Sequence, residues 1–554
     1  MKYSELCDYY ERLEDTTKNL KMRDIVAELL EEAPSEDLEL ITLASMGRVF
    51  PASVDKDIGI AGKLMQKIIA KSYGAAEEEV VEKFKQTGDL GKTAEYFCEN
   101  NRQRSLMTKE LTVKKVFENL RKLPETTGTG SEERKERLVR ELLTSAEPVE
   151  ARYVVRTTLQ EMRIGVGEGT VRDAIAVAFG VPKEKVENAF FKLTDYGEVA
   201  KIARKKGEEG LDDVEIEVGR PLRVMLAEIS ESLQDALEEY ENPAVEVKLD
   251  GFRGQIHKDG DDITLYSRRL EDKTDQFPEV VEWAKECLKP EECIVDCEIV
   301  AVDEEGKPLA FQNLSKRIQR KYDIQRMKEE IPVQVNCFDL FYVDGESFME
   351  SSLKDRWEKL NEIVVERKGK FKLVEHLETN DMEEANSFYQ KALGQKQEGV
   401  MVKNLDAKYQ PGKRVGYWKK VKETMEPLDL VVVEGIWGEG KRSQWISSLM
   451  LAVRDPDTGD FLKTGKMATG MTEEQLQEIT DKMEELIISE DGRTVKVRPK
   501  IVVEVGYEEI QKSPKYDTGY ALRFPRLLRF RYDKSPEEVD IVERLKSLYR
   551  KQNN

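Results

Sequence analysis

The chain has 554 residues, 39% of them hydrophobic and 36% charged, with a formal net charge of −21. That length predicts about three domains, give or take one, with ample material for buried cores. The acidic balance excludes indiscriminate coating of nucleic acid, and no run of about 18 apolar residues marks a membrane-crossing helix. Met1-Lys2-Tyr3-Ser4-Glu5-Leu6-Cys7 lacks the apolar stretch of a secretory signal. Cys7, Cys98, Cys287, Cys293, Cys297 and Cys337 form no CxxC, so they read as reduced thiols and a cytoplasmic location is expected. With only His257 and His376 available, a histidine zinc site or a Ser-His-Asp triad has little support.

In chain order, 1–218 is predicted helical, with apolar residues three and four apart at Ile25, Leu29 and Leu30 and at Val113, Val116, Leu120 and Leu123. The threonine- and glycine-rich 126–130 is a loop, and Ser131 opens the next helix. The glycine-rich 163–170 is a turn, with Thr170 the expected cap of a helix over 171–179. Its amides suit a phosphate, and a plain helix-to-helix turn suits it equally. Gly88-Asp89-Leu90-Gly91-Lys92-Thr93 imitates a phosphate-binding loop, but its glycines are too close together. Gly165-Val166-Gly167-Glu168-Gly169 is not GxGxxG, and no strand precedes it.

From 219 to 424 the pattern is mixed α/β. Strands are expected over 244–249, 263–267, 293–301, 333–342 and 399–403, and helices over 277–287 and 353–367. From 425 to 554 strands dominate, over 429–435, 447–454, 495–508 and 528–532, as in a small barrel. Ser535-Pro536-Glu537-Glu538 offers a capping box with proline at the first helical position. A terminal helix is expected from there, with Val539, Val542, Leu545 and Leu548 on its apolar face. No internal repeats occur.

The stretch that can carry chemistry is Glu246-Val247-Lys248-Leu249-Asp250-Gly251-Phe252-Arg253. Val245, Val247 and Leu249 alternate with Glu246, Lys248 and Asp250, so a strand end would hold a lysine between two carboxylates. Gly251 is expected to turn the chain. Four clusters follow: Ser267-Arg268-Arg269 at a strand end; Asp296 and Glu298 on one strand face; Phe338-Asp339 on a strand; and Glu398-Gly399-Val400-Met401-Val402-Lys403, followed by Arg414, Trp418, Lys420 and Lys422. Arginines there suit phosphate, and glutamates suit a hard cation.

Lys248-Leu249-Asp250-Gly251-Phe252-Arg253 resembles the KxDGxR motif of covalent nucleotidyltransferases, and the ordered clusters resemble motifs of ATP-dependent DNA ligases. The tail Arg523-Phe524-Pro525-Arg526-Leu527-Leu528-Arg529-Phe530-Arg531-Tyr532-Asp533-Lys534 and the stretches 434–442 and 507–514 fit the same family. The resemblance covers essentially the whole chain and is closest to archaeal replicative ligases. It implies a multidomain protein: an all-α DNA-binding domain (1–218), an α/β (α+β) adenylation domain (219–424), and a C-terminal β-barrel OB-fold with a terminal helix (425–554).

The implied activity joins 5′-phosphate and 3′-hydroxyl ends at nicks in duplex DNA, in replication, repair and recombination, with release of AMP and pyrophosphate. Lys248 would become adenylated. Phe338 would stack on adenine, with Glu246 near the base. Arg253, Arg268, Arg414 and Lys420 would hold ribose and phosphates, and Lys422 would act at the α-phosphate. Glu298 and Glu398 would hold Mg²⁺, and arginines of the tail would orient pyrophosphate. Expected partners are nicked DNA, gripped by Arg102, Arg104, Lys114, Lys115, Arg121 and Lys122, and a sliding clamp through Gln103-Arg104-Ser105-Leu106-Met107. Leu106 and Met107 stand where such a box carries aromatics, and plain helical core fits those residues too. A monomer, cytoplasmic and nucleoid-associated, is expected. An RNA capping enzyme or RNA ligase shares the lysine motif but not the long helical region. A non-catalytic scaffold would not need the full set of Lys248, Glu298, Glu398, Lys420 and Lys422.

Overall fold

The computed structural model describes residues 1–54, 56–100, 110–309, 311–318, 320, 322–395, 397–412, 415–422, 425–438, 442 and 444–553. Arg414, the clamp-box stretch 103–107, Arg102, and 439–441 of the 434–442 stretch lie outside the described residues. The chain divides into two compact units, Met1–Lys422 and Glu423–Asn554. No helix of the described residues is long and apolar enough to cross a membrane.

The first unit begins helical, as its periodicity predicts. Helices such as Asn19–Glu32, Ser131–Ser145 and Pro148–Thr158 bury their apolar stripes in one core that includes Leu30, Val116, Leu142 and Val154. The false phosphate loop is two helix caps in succession. Gly88 ends the helix Glu77–Thr87 with φ +64°, and Asp89 starts Leu90–Glu99 by accepting from the amides of Gly91 and Lys92. Arg156 then holds the other Asp89 oxygen at 2.7 Å in a buried pair. Thr170 is not a cap: the helix is Glu168–Phe179, with Gly167 before it. The sequence offers two starts one turn apart, and the earlier one extends the helix.

The second half of this unit is built on two sheets. A five-stranded sheet runs Glu228–Ile229, Trp418–Lys422, Gly399–Asn404, Pro243–Lys248, His376–Glu378. A six-stranded sheet runs Asp262–Ser267, Phe252–Asp259, Glu292–Ala301, Val333–Val343, Glu346–Ser347, with Phe371–Leu373 also on Val333–Val343. One core gathers Val245, Val247, Phe338, Phe341, Val400 and Trp418 from the two sheets. A second, on the far face of the six-stranded sheet, packs Val335 and Leu340 against Val280 and Leu360, from the helices Pro278–Cys287 and Leu353–Ile363. Because Pro243–Lys248 is an inner strand, both its faces are buried up to Val247, and Lys248 is the first residue to emerge.

The C-terminal unit is strand-rich. Its long strand Leu428–Trp437 changes partner along its length: Leu428–Val431 pairs with Val502–Gly506, and Glu434–Ile436 with Thr494–Val497. The run expected as one strand over 495–508 is therefore two, broken around Pro499, which cannot donate to a ladder. The terminal helix is Val542–Asn553, later than Ser535. The capping box exists, with the Ser535 amide donating to Glu538 at 2.8 Å, but it closes a single 3₁₀ turn, Pro536–Glu538. Val539, before the helix, and Val542, Leu545 and Leu548 are all buried.

Candidate active site

The site forms where the inner strand of the five-stranded sheet crosses into the six-stranded sheet. Strand register does most of the assembly. Gly399 pairs with Lys248 on one side and with Lys422 on the other. Met401 likewise pairs with Glu246 and with Lys420. Glu398, one residue before its strand, thus lies between two lysines: its Oε2 contacts Lys248 Nζ and stands 3.0 Å from Lys422 Nζ. Gly399 makes this possible, since its φ is +142° and a Cβ there would lie 2.2 Å from the Val421 carbonyl oxygen.

Gly251 is needed for space rather than for a turn. A Cβ on it would meet the Ile299 carbonyl oxygen at 2.6 Å and Glu298 Cγ at 2.9 Å. The crossing chain therefore passes in contact with the strand that carries Glu298. Arg253 pairs in register with Glu298. Burial, opposed by Lys248 and Arg253 and reinforced by Asp296 and Glu398, pushes the Glu298 carboxyl up to about 8. Burial also works against ionisation at Glu398, but Lys248 and Lys422 outweigh it and hold that carboxyl at about 2. Two nearby carboxyls thus have opposite leanings in one site.

The acids flanking Lys248 do not face it together. The strand ends at Lys248, so Asp250 has left the period-two pattern and accepts the Phe311 amide at 3.1 Å. Glu246 is ion-paired with Lys403, at 2.6 Å. The carboxylate that reaches Lys248 is Glu398, 150 positions away in sequence.

Arg253 turns into the wall. Its Nη2 lies 2.6 Å from the fully buried Asp296, Nη1 donates to the Met225 carbonyl at 2.9 Å, and Nη2 donates to the Tyr409 hydroxyl at 3.2 Å. Its guanidinium carbon stands 5.3 Å from the centre of the Phe338 ring. Phe338 is itself fixed from behind, because the Trp357 indole N–H donates to its carbonyl at 2.7 Å. The next residue, Asp339, is buried against Arg356 at 2.7 Å. Arg268 leaves the end of Asp262–Ser267 exposed, one residue beyond the Ser267–Gly254 pairing, near Arg253 in the sheet. Met225, Tyr409 and Lys403 were not among the expected site residues. Lys403 closes the Glu398–Lys403 run, but nothing in sequence says which acid it meets.

Elsewhere, Lys115 pairs with Glu141 at 2.6 Å, Lys114 with Glu118 at 4.0 Å, and Arg121 donates to the Val49 carbonyl at 3.1 Å. In the C-terminal unit, Arg531 and Lys534 converge on Asp429 at 2.8 and 2.5 Å. Arg523 pairs with Glu509 at 2.9 Å and Arg529 with Glu504 at 2.6 Å, while Arg526 is exposed. Arg523, Arg529, Arg531 and Lys534 are thus all paired with acids of their own unit.

This fold is also found in the solved structure of Pmar-Lig_PreS3, at TM-score 0.60 and 16% identity, over 95% of this chain and 99% of that one. Three family models match in order: DNA ligase N terminus at 2–176, ATP dependent DNA ligase domain at 224–422, and ATP dependent DNA ligase C terminal region at 442–534. DNA ligases of Thermococcus onnurineus and Archaeoglobus fulgidus are each 44% identical, over 99% and 100% of this chain and 98% and 99% of their own lengths. The chain belongs to the ATP-dependent DNA ligase family, with archaeal relatives, and is a DNA ligase.

Proposed function

We propose that this ligase seals 5′-phosphate/3′-hydroxyl nicks in duplex DNA through a lysyl-AMP at Lys248 and an adenylated DNA intermediate, serving replication, repair and recombination. The observation that carries the reading is the convergence of Lys248, Glu398 and Lys422 at the end of one strand ladder. In the first step Lys248 Nζ bonds to the α-phosphorus of ATP and pyrophosphate leaves. In the second, the phosphorus–nitrogen bond breaks as AMP passes to the 5′-phosphate of the nick. In the third, the 3′-hydroxyl attacks that phosphate, releasing AMP. Each is an in-line displacement, catalysed by positioning and charge neutralisation.

Phe338 and Glu246 face the base. Arg253, Arg268, Arg414 and Lys420 hold ribose and phosphates, and Lys422 acts at the α-phosphate. Arginines of the tail orient pyrophosphate in the first step. Residues 1–218 bind DNA, 219–424 carry the chemistry, and 425–554 close over the nucleotide and open for DNA. The protein works as a monomer in the cytoplasm, and Gln103–Met107 offers a contact to a sliding clamp.

Glu298 and Glu398 fit Mg²⁺. They are hard oxygen donors, and among the described residues no group of three or more metal-ligating side chains occurs. A cation there would complete its shell with phosphate oxygens and water, as Mg²⁺ does. When bound, it would offset phosphate charge and favour the neutral amine that attack requires, free lysine ionising near ~10.4. The decisive test incubates the full chain with α-labelled ATP and Mg²⁺ and runs a denaturing gel. Covalent label is expected in the native chain and none in Lys248→Ala; label that survives this substitution would sink the assignment.

A further inference from the structure

Glu246 and Lys403 form an ion pair sealed behind the base-facing side of the site. Lys403 Nζ lies 2.6 and 2.7 Å from the two Glu246 oxygens, and the side chains are only 1% and 5% exposed. Three rings surround the ammonium, with centres 4.5 Å (Trp418), 4.8 Å (Phe338) and 5.4 Å (Trp357) from Nζ. Aromatic faces stabilise a desolvated cation, and these three rings suit an ammonium paired with one buried carboxylate. Burial raises the Glu246 carboxyl; Lys403 is the largest influence opposing it, Asp339 adds to the rise, and Arg253 opposes it less strongly. Glu246 nevertheless keeps an open side. With Phe338, Trp357 and His376 it lines a cavity of about 260 Å³.

An ionised carboxylate only accepts hydrogen bonds, whereas a protonated one also donates. A 6-amino purine offers a donor at the position where a 6-oxo purine offers lone pairs. Resting on the reading that Glu246 and Phe338 face the base, we propose that Lys403 is a positioning residue for nucleotide choice: it locks Glu246 as an anionic acceptor, so that the site takes 6-amino purines and rejects 6-oxo purines. Without Lys403, Glu246 would be an unpaired buried charge, which such a group avoids by taking up a proton. It could then donate to a 6-oxo group. Lys403 touches no reacting atom, so its influence falls on which nucleotide is held rather than on the displacement at phosphorus.

The test measures covalent labelling of the full chain by α-labelled ATP and α-labelled inosine triphosphate, with KM and maximum rate for each. In Lys403→Met the preference for ATP should fall by about tenfold or more. The change should come from a higher KM for ATP and a lower KM for inosine triphosphate, with maximum rates changing far less. Lys403→Arg should keep the native preference, and Lys403→Gln should lose it as the methionine variant does. Equal loss with both nucleotides at unchanged preference would overturn the proposal, as would failure of both the Met and Gln variants to fold, since either marks Lys403 as a structural residue. If the native chain takes no label from ATP, the underlying assignment of Lys248 fails instead.

Discussion

One pair of strands, Pro243–Lys248 and Gly399–Asn404, carries two lysine–glutamate ion pairs of opposite sense. At one end Lys248 of the first meets Glu398, just before the second, with side chains 20% and 22% exposed. At the other, Lys403 of the second meets Glu246 of the first, and water is almost excluded. Chemistry and strand geometry are shared, so the difference lies in what surrounds each pair. The open pair has a second lysine competing for its carboxylate and a neighbouring acid, Glu298, whose carboxyl burial pushes up to about 8. Its partners can be exchanged for a ligand. The sealed pair is chelated, ringed by aromatics, and has no such alternative. Accessibility, not residue type, separates a reactive ion pair from a fixed one.

Substitutions should divide along that line. Glu246→Ala strands a buried lysine, so thermal or urea unfolding should show a loss of about 3–5 kcal/mol. A loss below about 1 kcal/mol would mean that water reaches Lys403 after all. Glu398→Gln should leave stability within about 1 kcal/mol, because the open pair is partly solvated. Its single-turnover labelling by ATP should nonetheless drop by about 10²–10³-fold, the usual penalty for removing a group that organises charge at phosphorus.

His257 extends the comparison to a group kept neutral. It is 1% exposed, accepts the Gly219 amide at 3.0 Å, and shares a 2.8 Å hydrogen bond with Gln255. Burial lowers its pKa from 6.5 to about 3. Its contribution to stability is therefore complete above pH 6.5 and is lost as pH falls toward 3, because the unfolded chain binds the proton first. Between those limits the native chain should lose up to about 1.4 kcal/mol per pH unit more than His257→Gln, read from urea midpoints at successive pH values. The smallest effect belongs to an exposed pair. Removing the Lys114–Glu118 contact with Lys114→Gln should change stability by less than about 0.5 kcal/mol.

Much of this was legible in sequence because inner strands and ordered motifs leave strong patterns. The three architectural regions, the strand that carries Lys248, and the clusters around Glu298, Phe338 and Glu398 could all be read from spacing and resemblance. The partners could not. Lys403 meets Glu246 across 157 positions, and Arg253 meets Asp296 across 43, through register that no local periodicity encodes. Asp250 departs from the alternation because the strand ends at Lys248. Thr170 and Ser535 have the chemistry of caps, but Gly167 precedes the helix Glu168–Phe179 and Ser535 caps only the 3₁₀ turn Pro536–Glu538.

The crowding at Gly251 has a mechanical consequence. Gly251, just past the strand end bearing Lys248, lies against the Ile299 carbonyl and the Glu298 side chain with no room for a Cβ, so that chain and the strand bearing Glu298 are held in direct contact. Rotamer hopping cannot lengthen such a spacer. The tolerance of the reaction centre is thus set by the stiffest material in the molecule, and the absence of a single methyl group at one residue is what allows the two sheets to serve as its gauge.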